Sequence, residues 1–402
     1  MDFMLPTTDD NGARLAAILP SGIAAVARGL ATTLPEELRY AAADSLPALR
    51  SFVMIVVDGL GSANLAARAG HAPALARLPR KRIETVAPST TGAALTTLLT
   101  GRLPGEHGLI GYRIRHPELG LVTTLRDWQG IGDPRSWQHA TPLLTHASSI
   151  GARAVAIGRP AHATGGLTEA ILAGAEYLGG HRIEDRFALA SRVLREQPPA
   201  IVYLYIDELD KAGHEYGWQG EQWGRRLEQF DASLEGFLRS LPGNVGIAIT
   251  ADHGMVDVAP HQQIMLEADP ALLDGVAAIG GEPRFRSLYL HDGVDAEAIS
   301  RAWQQAEGSR AWVGTRGEVI ANGSFGPVRP GVEERLGDVL IAARKQVAYY
   351  TSTEDPRVLT MVGQHGSFTD EERGVPLALG GALVGTRFAA AVQATANGRS
   401  PH

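Results

Sequence analysis

Three kinds of residue in this chain could do chemistry together. The first are carboxylates: Asp58 in 57-VDGLG-61, Asp210 in 207-DELDKAGH-214 and Asp252 in 250-TADHGM-255. The second are imidazoles: His214, His253 and His365, the last in 363-GQHGSFTDEER-373. The chain has no cysteine, so a metal site must draw on such groups. A mixed nitrogen and oxygen set suits Zn²⁺, with Mn²⁺ or Fe as alternatives. Two such ions about 3.5–4 Å apart can hold the attacking and the leaving oxygen of a phosphoryl transfer. The third kind are the seven hydroxyls of 85-TVAPSTTGAALTTLLTG-101. A free threonine hydroxyl is a poor nucleophile near neutral pH and needs a base or a metal beside it.

Each motif also has a plainer explanation. An Asp that follows a strand and precedes Gly is commonly a turn residue or an N-cap. Asp210 and His214 could sit on a solvated helix start. A His in a glycine-rich loop is often structural. The combination is what points to a site, because these residues follow separate strand candidates.

Those strand candidates are short, apolar and β-branched: 52-FVMIVV-57, 153-RAVAIG-158, 200-AIVYLYI-206 and 245-VGIAIT-250. Three of them run into the acids named above. Between them lie helical periodicities at 63–78, 184–197 and 222–241. Alternating strands and helices imply an α/β fold with a mainly parallel sheet and helices on both faces. Ligands of such sheets gather at the carboxyl ends of the strands, where these acids converge. Residues 257–350 are richer in Gly and Pro with shorter apolar runs at 287–291, 311–315 and 347–350. They are expected to form a smaller inserted α+β lobe within one catalytic domain spanning 1–402.

Composition narrows the class. The 402 residues are 44% hydrophobic and 20% charged, with a formal net charge of -7. That is a globular profile with no basic face for nucleic acid or anionic lipid. An anionic substrate stays open, since a bound metal reverses the local field. The first residues lack a basic stretch followed by an apolar run, so no signal peptide is read there. No apolar stretch has the length of a membrane span. The expected compartment is the cytoplasm.

Taken in order, VDGLG, the hydroxyl tract ending at Thr100-Gly101, 104-PGEHGLIGY-112, DELDKAGHEYG, TADHGM and GQHGS resemble the alkaline phosphatase superfamily. Within it they are most similar to the type I phosphodiesterase/nucleotide pyrophosphatase family, over residues 52 to 380. The resemblance implies an alkaline-phosphatase-like fold and two metal ions. One would be held by Asp58, Asp252 and His253, the other by Asp210, His214 and His365. The resemblance also implies a nucleophilic threonine bridging both, and the family's placement of it before the closing Thr-Gly falls here on Thr91, with Thr90 and Ser89 as rivals. A covalent phospho-threonine would form and then be hydrolysed.

Two positions depart from the family. An aromatic residue is expected directly after the nucleophile and an Asn three residues after it, where this chain has Gly92 and Ala94. Tyr112, Arg113, Arg159 and His162 are candidates to replace the lost donor. The expected substrate is a small phosphate ester, a diester or pyrophosphate before a monoester. A phosphonate hydrolase is the alternative, and a non-catalytic metal-binding relative a weaker one. The missing cysteine and the context of Ser89 argue against a sulfatase.

Overall fold

The computed structural model describes Pro6 and residues 10–398. Its centre is a seven-stranded sheet in the order Arg80–Glu84, Gly374–Gly381, Val245–Thr250, Ser51–Val57, Ala200–Ile206, Arg153–Gly158, Glu176–Gly179. Every pairing is parallel except the two made by Gly374–Gly381. The central strands Ser51–Val57 and Val245–Thr250 are buried at every residue. That is why they read as unbroken apolar runs rather than alternating ones.

The covering helices show the expected faces. Ile183–Arg195 buries Ile183, Phe187, Ala190 and Leu194. Glu221–Arg239 buries Trp223, Leu227, Phe230, Leu234 and Phe237. Both follow the three-and-four spacing of an amphipathic helix. The segment 63–78 is not one helix. It breaks into Ser62–Ala67, a single turn at Ala69–His71, and Pro73–Arg77. Pro73 bars the preceding residue from helical geometry and starts a new helix itself. Buried Asp231 then accepts from the free N–H groups of Ala74 at 2.9 Å and Leu75 at 2.8 Å, as an N-cap would.

Helix Ala13–Gly29 has no counterpart among the periodicities of the sequence. It buries every residue from Leu15 to Ala27, as expected of a helix apolar all round. Its Gly22 packs so closely on the Phe52 ring that a Cβ would collide with it. Among the described residues no helix is long and apolar enough to cross a membrane.

A second, antiparallel sheet has the order Val276–Glu282, Phe285–Leu290, Val339–Ala343, Ala311–Thr315. Helix Ala296–Glu307 packs beside it, and Leu288, Trp303, Val313 and Ile341 share a small core there. The apolar run at 347–350 does not join this sheet. Its strand Ala348–Tyr350 pairs with Gln263–Met265 instead.

Candidate active site

Four connections at one end of the main sheet carry the site. Asp58 extends its strand by one more hydrogen bond, from its N–H to the Ile206 carbonyl at 2.8 Å. Gly59 then turns with φ of 72°, a region that side chains rarely adopt. A Cβ on Gly59 would stand 3.1 Å from the Asp210 backbone, so this glycine also admits the neighbouring helix. That helix, Glu208–Tyr216, follows strand Ala200–Ile206 and sets Asp210 and His214 one turn apart on one face. Asp252 and His253 follow Val245–Thr250. The short strand Gly363–Gln364, paired with Val256–Asp257, delivers His365.

These six side chains meet. Ligand atoms of Asp210, His214 and His365 lie within 4.8 Å of one another, and so do those of Asp58, Asp210 and His253. Asp252 stands at the edge of the second group, its Oδ2 3.5 Å from His253 Nε2. The rings of His253 and His365 stack with centroids 3.6 Å apart.

The protons on these imidazoles follow from their partners. Nδ1 of His214 donates to Gly363 O at 2.8 Å, Nδ1 of His365 to Ser89 O at 2.8 Å, and Nδ1 of His253 to Gly254 O at 3.1 Å. A carbonyl can only accept, so each Nδ1 carries the hydrogen and each Nε2 keeps its lone pair. This is how proteins orient metal-binding histidines. Oδ1 of Asp58, Oδ1 of Asp210 and Oδ2 of Asp252 are buried without a hydrogen-bond partner. Three proton-free imidazole nitrogens, of which only His253 Nε2 meets a hydroxyl, from Thr91, and three unpartnered carboxylate oxygens fit divalent cations.

The titration behaviour agrees. Burial pushes the His253 imidazole down to about 3 and holds His365 well below its usual range. Both are neutral at pH 7. Burial, then the charges of Asp210 and Asp252, pushes Asp58 well above the carboxylate range. Burial likewise lifts Asp210 to about 6, against the pull of His214. Carboxylates this close resist ionising together unless a cation offsets them. Asp207 behaves oppositely. Its burial is outweighed by hydrogen bonds from Lys211 and Arg159, which hold it at about 2. It is spent in that ion-pair network, and its charge adds to the rise at Asp210.

The hydroxyl tract resolves into separate roles. Helix Thr91–Thr100 begins at Thr91 and ends at Gly101, whose φ is 65°. Ser89 donates to Ser367 O at 2.8 Å. Thr90 lies beside the Glu282 carboxyl. Thr91 donates to His253 Nε2 at 3.2 Å, which places its oxygen inside the cluster. Thr96 and Thr100 donate back to carbonyls one turn earlier, each at 2.6 Å.

Thr91, Asp58, Asp210, His214 and His365 open onto a cavity of about 660 Å³. The two departures from the family look different here. A Cβ on Gly92 would fall 2.5 Å from Thr124 Oγ1, so this position has no room for an aromatic ring. Ala94 is wholly buried in the core and does not reach the cavity. A donor at position 94 would therefore not face substrate in this chain. Of the four candidate replacements, Tyr112 and His162 line the cavity. Arg159 is paired with Asp207 at 2.6 Å and Glu208 at 2.8 Å, and Arg113 is exposed elsewhere.

Several residues at the site were not foreseen. Tyr205 donates its hydroxyl to Asp58 Oδ2. Glu282, from the end of strand Val276–Glu282, lies 3.6 Å from His365 Nδ1. Glu372 braces the loop that carries His365, accepting from Ser367 N at 3.0 Å and from the Thr369 hydroxyl at 2.6 Å. Arg284 closes on the same carboxylate with two bonds of 2.7 Å, and neither residue of the pair is exposed. The backbone beside Glu372 holds two more connections. Its carbonyl accepts from Gly254 N at 2.8 Å, next to His253, and the Arg373 carbonyl accepts from Thr85 N at 2.8 Å, ahead of the hydroxyl tract.

With this geometry in hand, residues 52–368 match the type I phosphodiesterase/nucleotide pyrophosphatase family. The chain belongs to that family. It is a phosphoester hydrolase, and its family is metal-dependent. Among curated proteins, none matches the sequence. Among solved structures, the murine ectonucleotide pyrophosphatase/phosphodiesterase 5 is similar with a TM-score of 0.65 and 18% identity, over 82% of this chain and 88% of that one. The human ectonucleotide pyrophosphatase/phosphodiesterase 5 gives a TM-score of 0.65 at 17% identity, over 83% and 88%. Phosphonoacetate hydrolase from Sinorhizobium meliloti 1021, in complex with phosphonoformate, gives 0.65 at 22% identity, over 88% and 97%. At these identities the likeness establishes a shared fold, the mainly parallel α/β sheet flanked by helices.

Proposed function

We propose that this member of the family hydrolyses phosphodiesters or pyrophosphates with Thr91 as nucleophile. Asp58, Asp252 and His253 would hold one divalent ion and Asp210, His214 and His365 a second, with Zn²⁺ the first choice. The observation that carries this reading is the Thr91 hydroxyl, 3.2 Å from a proton-free His253 Nε2 within that set. When bound, the ions lower the pKa of the hydroxyl and offset the charge on the reacting oxygens.

The protein groups then have defined tasks. Thr91 Oγ1 attacks phosphorus, the bond to the leaving oxygen breaks, and a phospho-threonine forms. Water then cleaves the new bond and frees Thr91. Thr91 opens a helix, so the first-turn N–H groups face the anion with the favourable end of the dipole. Tyr112 takes the donor task that position 94 cannot perform. Burial raises its phenol above the usual range, so it stays protonated and donates to a phosphoryl oxygen. Tyr112→Phe is expected to lower kcat on the order of 100-fold, the usual cost of one transition-state donor, in a steady-state diesterase assay. We also read residues 257–350 as a lobe inserted into one catalytic domain, because Glu282 reaches the site from there.

The test is turnover of bis-p-nitrophenyl phosphate against p-nitrophenyl phosphate and phosphonoacetate, alongside metal analysis. The diester is expected to be preferred. Chelation is expected to abolish turnover and Zn²⁺ or Mn²⁺ to restore it. Full activity after exhaustive dialysis against chelator would contradict the metal-dependent reading. Metal-loaded protein that turns over none of the three would make it a binding protein.

A further inference from the structure

One buried carboxyl group beside the site has no task in the mechanism above. Glu282 closes strand Val276–Glu282 of the second sheet and is only 6% exposed. Among the described residues no arginine or lysine pairs with it. Arg284 is taken by Glu372 and Arg286 by Glu354, each at 2.7 Å. Glu282 Oε1 has no hydrogen-bond partner. A buried oxygen left in this way costs the fold, and an apolar side chain of similar size would avoid that cost.

What Glu282 touches is the loop that carries His365. Its Oε2 stands 3.6 Å from His365 Nδ1, on the N–H edge of the ring and not at the Nε2 lone pair. That N–H donates to Ser89 O at 2.8 Å, so the carboxyl group lies beside the bond that fixes the ring. Gly366 follows with φ of 127°. A Cβ there would fall 2.6 Å from Glu282 Cδ, so this glycine lets the carboxyl group lie against the loop backbone. Ser89 ties the same backbone from the hydroxyl tract. Its N–H donates to Gly366 O, and Gly366 N donates to its Oγ, both at 3.1 Å. His365 is thus held by Ser89 on the main sheet's side of the site and approached by Glu282 from the second sheet.

We propose that Glu282 is a positioning residue for His365, and that through it the second sheet sets how tightly the group of Asp210, His214 and His365 holds its ion. This rests on the ligand set proposed above. An accepting oxygen beside the N–H edge of a ligand imidazole raises the basicity of the other nitrogen and keeps the ring in line. That task explains why an unpaired carboxyl group is kept where an apolar one would suit the fold better.

The test is Zn²⁺ affinity, measured by competition with a chromophoric chelator from the metal-free protein. Glu282→Met keeps the length of the side chain but offers no accepting oxygen, whereas Glu282→Gln keeps one. Affinity for one of the two ions is expected to fall about 10- to 100-fold in Glu282→Met and by less in Glu282→Gln. The denaturant midpoint of the metal-free Glu282→Met protein is expected to equal or exceed that of wild type, because the unpaired oxygen is gone. A residue with only a structural task would lose stability instead. His365→Ala is the reference and is expected to lose the same ion. Wild-type affinity in both Glu282 variants, with His365→Ala weakened, would overturn the proposal alone. So would an affinity loss in Glu282→Met that is matched by a loss of metal-free stability. Unchanged affinity in His365→Ala would overturn the ligand set itself, and this proposal with it.

Discussion

Thr91→Ala is expected to abolish turnover by at least about 100-fold while leaving the fold and the metal content in place. The side chain is nearly buried and makes one hydrogen bond, to His253. Its removal costs the fold little, because His253 stays held by the Gly254 carbonyl and by the stacked His365 ring. The readouts are diesterase turnover, metal per chain, and the denaturant midpoint. Thr90→Ala is the control. Its hydroxyl faces Glu282 rather than His253, so it is expected to keep most of its activity. If Thr90→Ala were dead and Thr91→Ala normal, the nucleophile would be the preceding residue.

Arg284→Ala is expected to have the largest effect on stability. Removing the guanidinium leaves the Glu372 carboxylate buried without its partner, which costs about 3–5 kcal/mol. Arg284 also donates to the Lys345 and Val347 carbonyls at 2.8 and 2.7 Å, which would lose a donor. Urea unfolding followed by fluorescence checks this. The comparison is Arg77→Ala, whose partner Glu235 is well exposed, where a loss within about 1 kcal/mol is expected. Because Glu372 shapes the His365 loop, Arg284→Ala is also expected to release metal at a lower chelator concentration than wild type. Equal chelator sensitivity would confine the pair to a structural role.

Much of the site was legible because its residues stand directly after strands. The apolar runs ending at Val57, Ile206 and Thr250 announce a parallel sheet, and the acids that follow must then gather at one end of it. The hydroxyl tract was legible as a helix, which begins at Thr91. Its rotation was not. Whether position 94 faces core or cavity depends on what packs against the helix, and the sequence around it is uniformly small and apolar. Glu282, Arg284 and Glu372 were missed for a related reason. In sequence they are ordinary charges in a Gly- and Pro-rich stretch and an acidic loop, which usually means surface. Only the fold of the Val276–Ala343 sheet against the main one takes them out of water. Helix Ala13–Gly29 is not legible because a helix buried at every residue from Leu15 to Ala27 shows no periodic polar face.

The cavity wall has a further consequence. Every proposed metal ligand hangs from a strand end of the main sheet or from the Gly363–Gln364 connection. The carbon surface around the remaining volume comes mostly from other segments, above all helix Gly166–Ile171 and the loop holding Leu125. Under the proposed mechanism, the ligands of the reacting centre and most of the surface that would meet the ester therefore come from separate stretches of chain. Mutational drift in one can retune appetite without retooling the reaction, and a laboratory library confined to 161–172 could explore new esters while leaving the six ligands untouched.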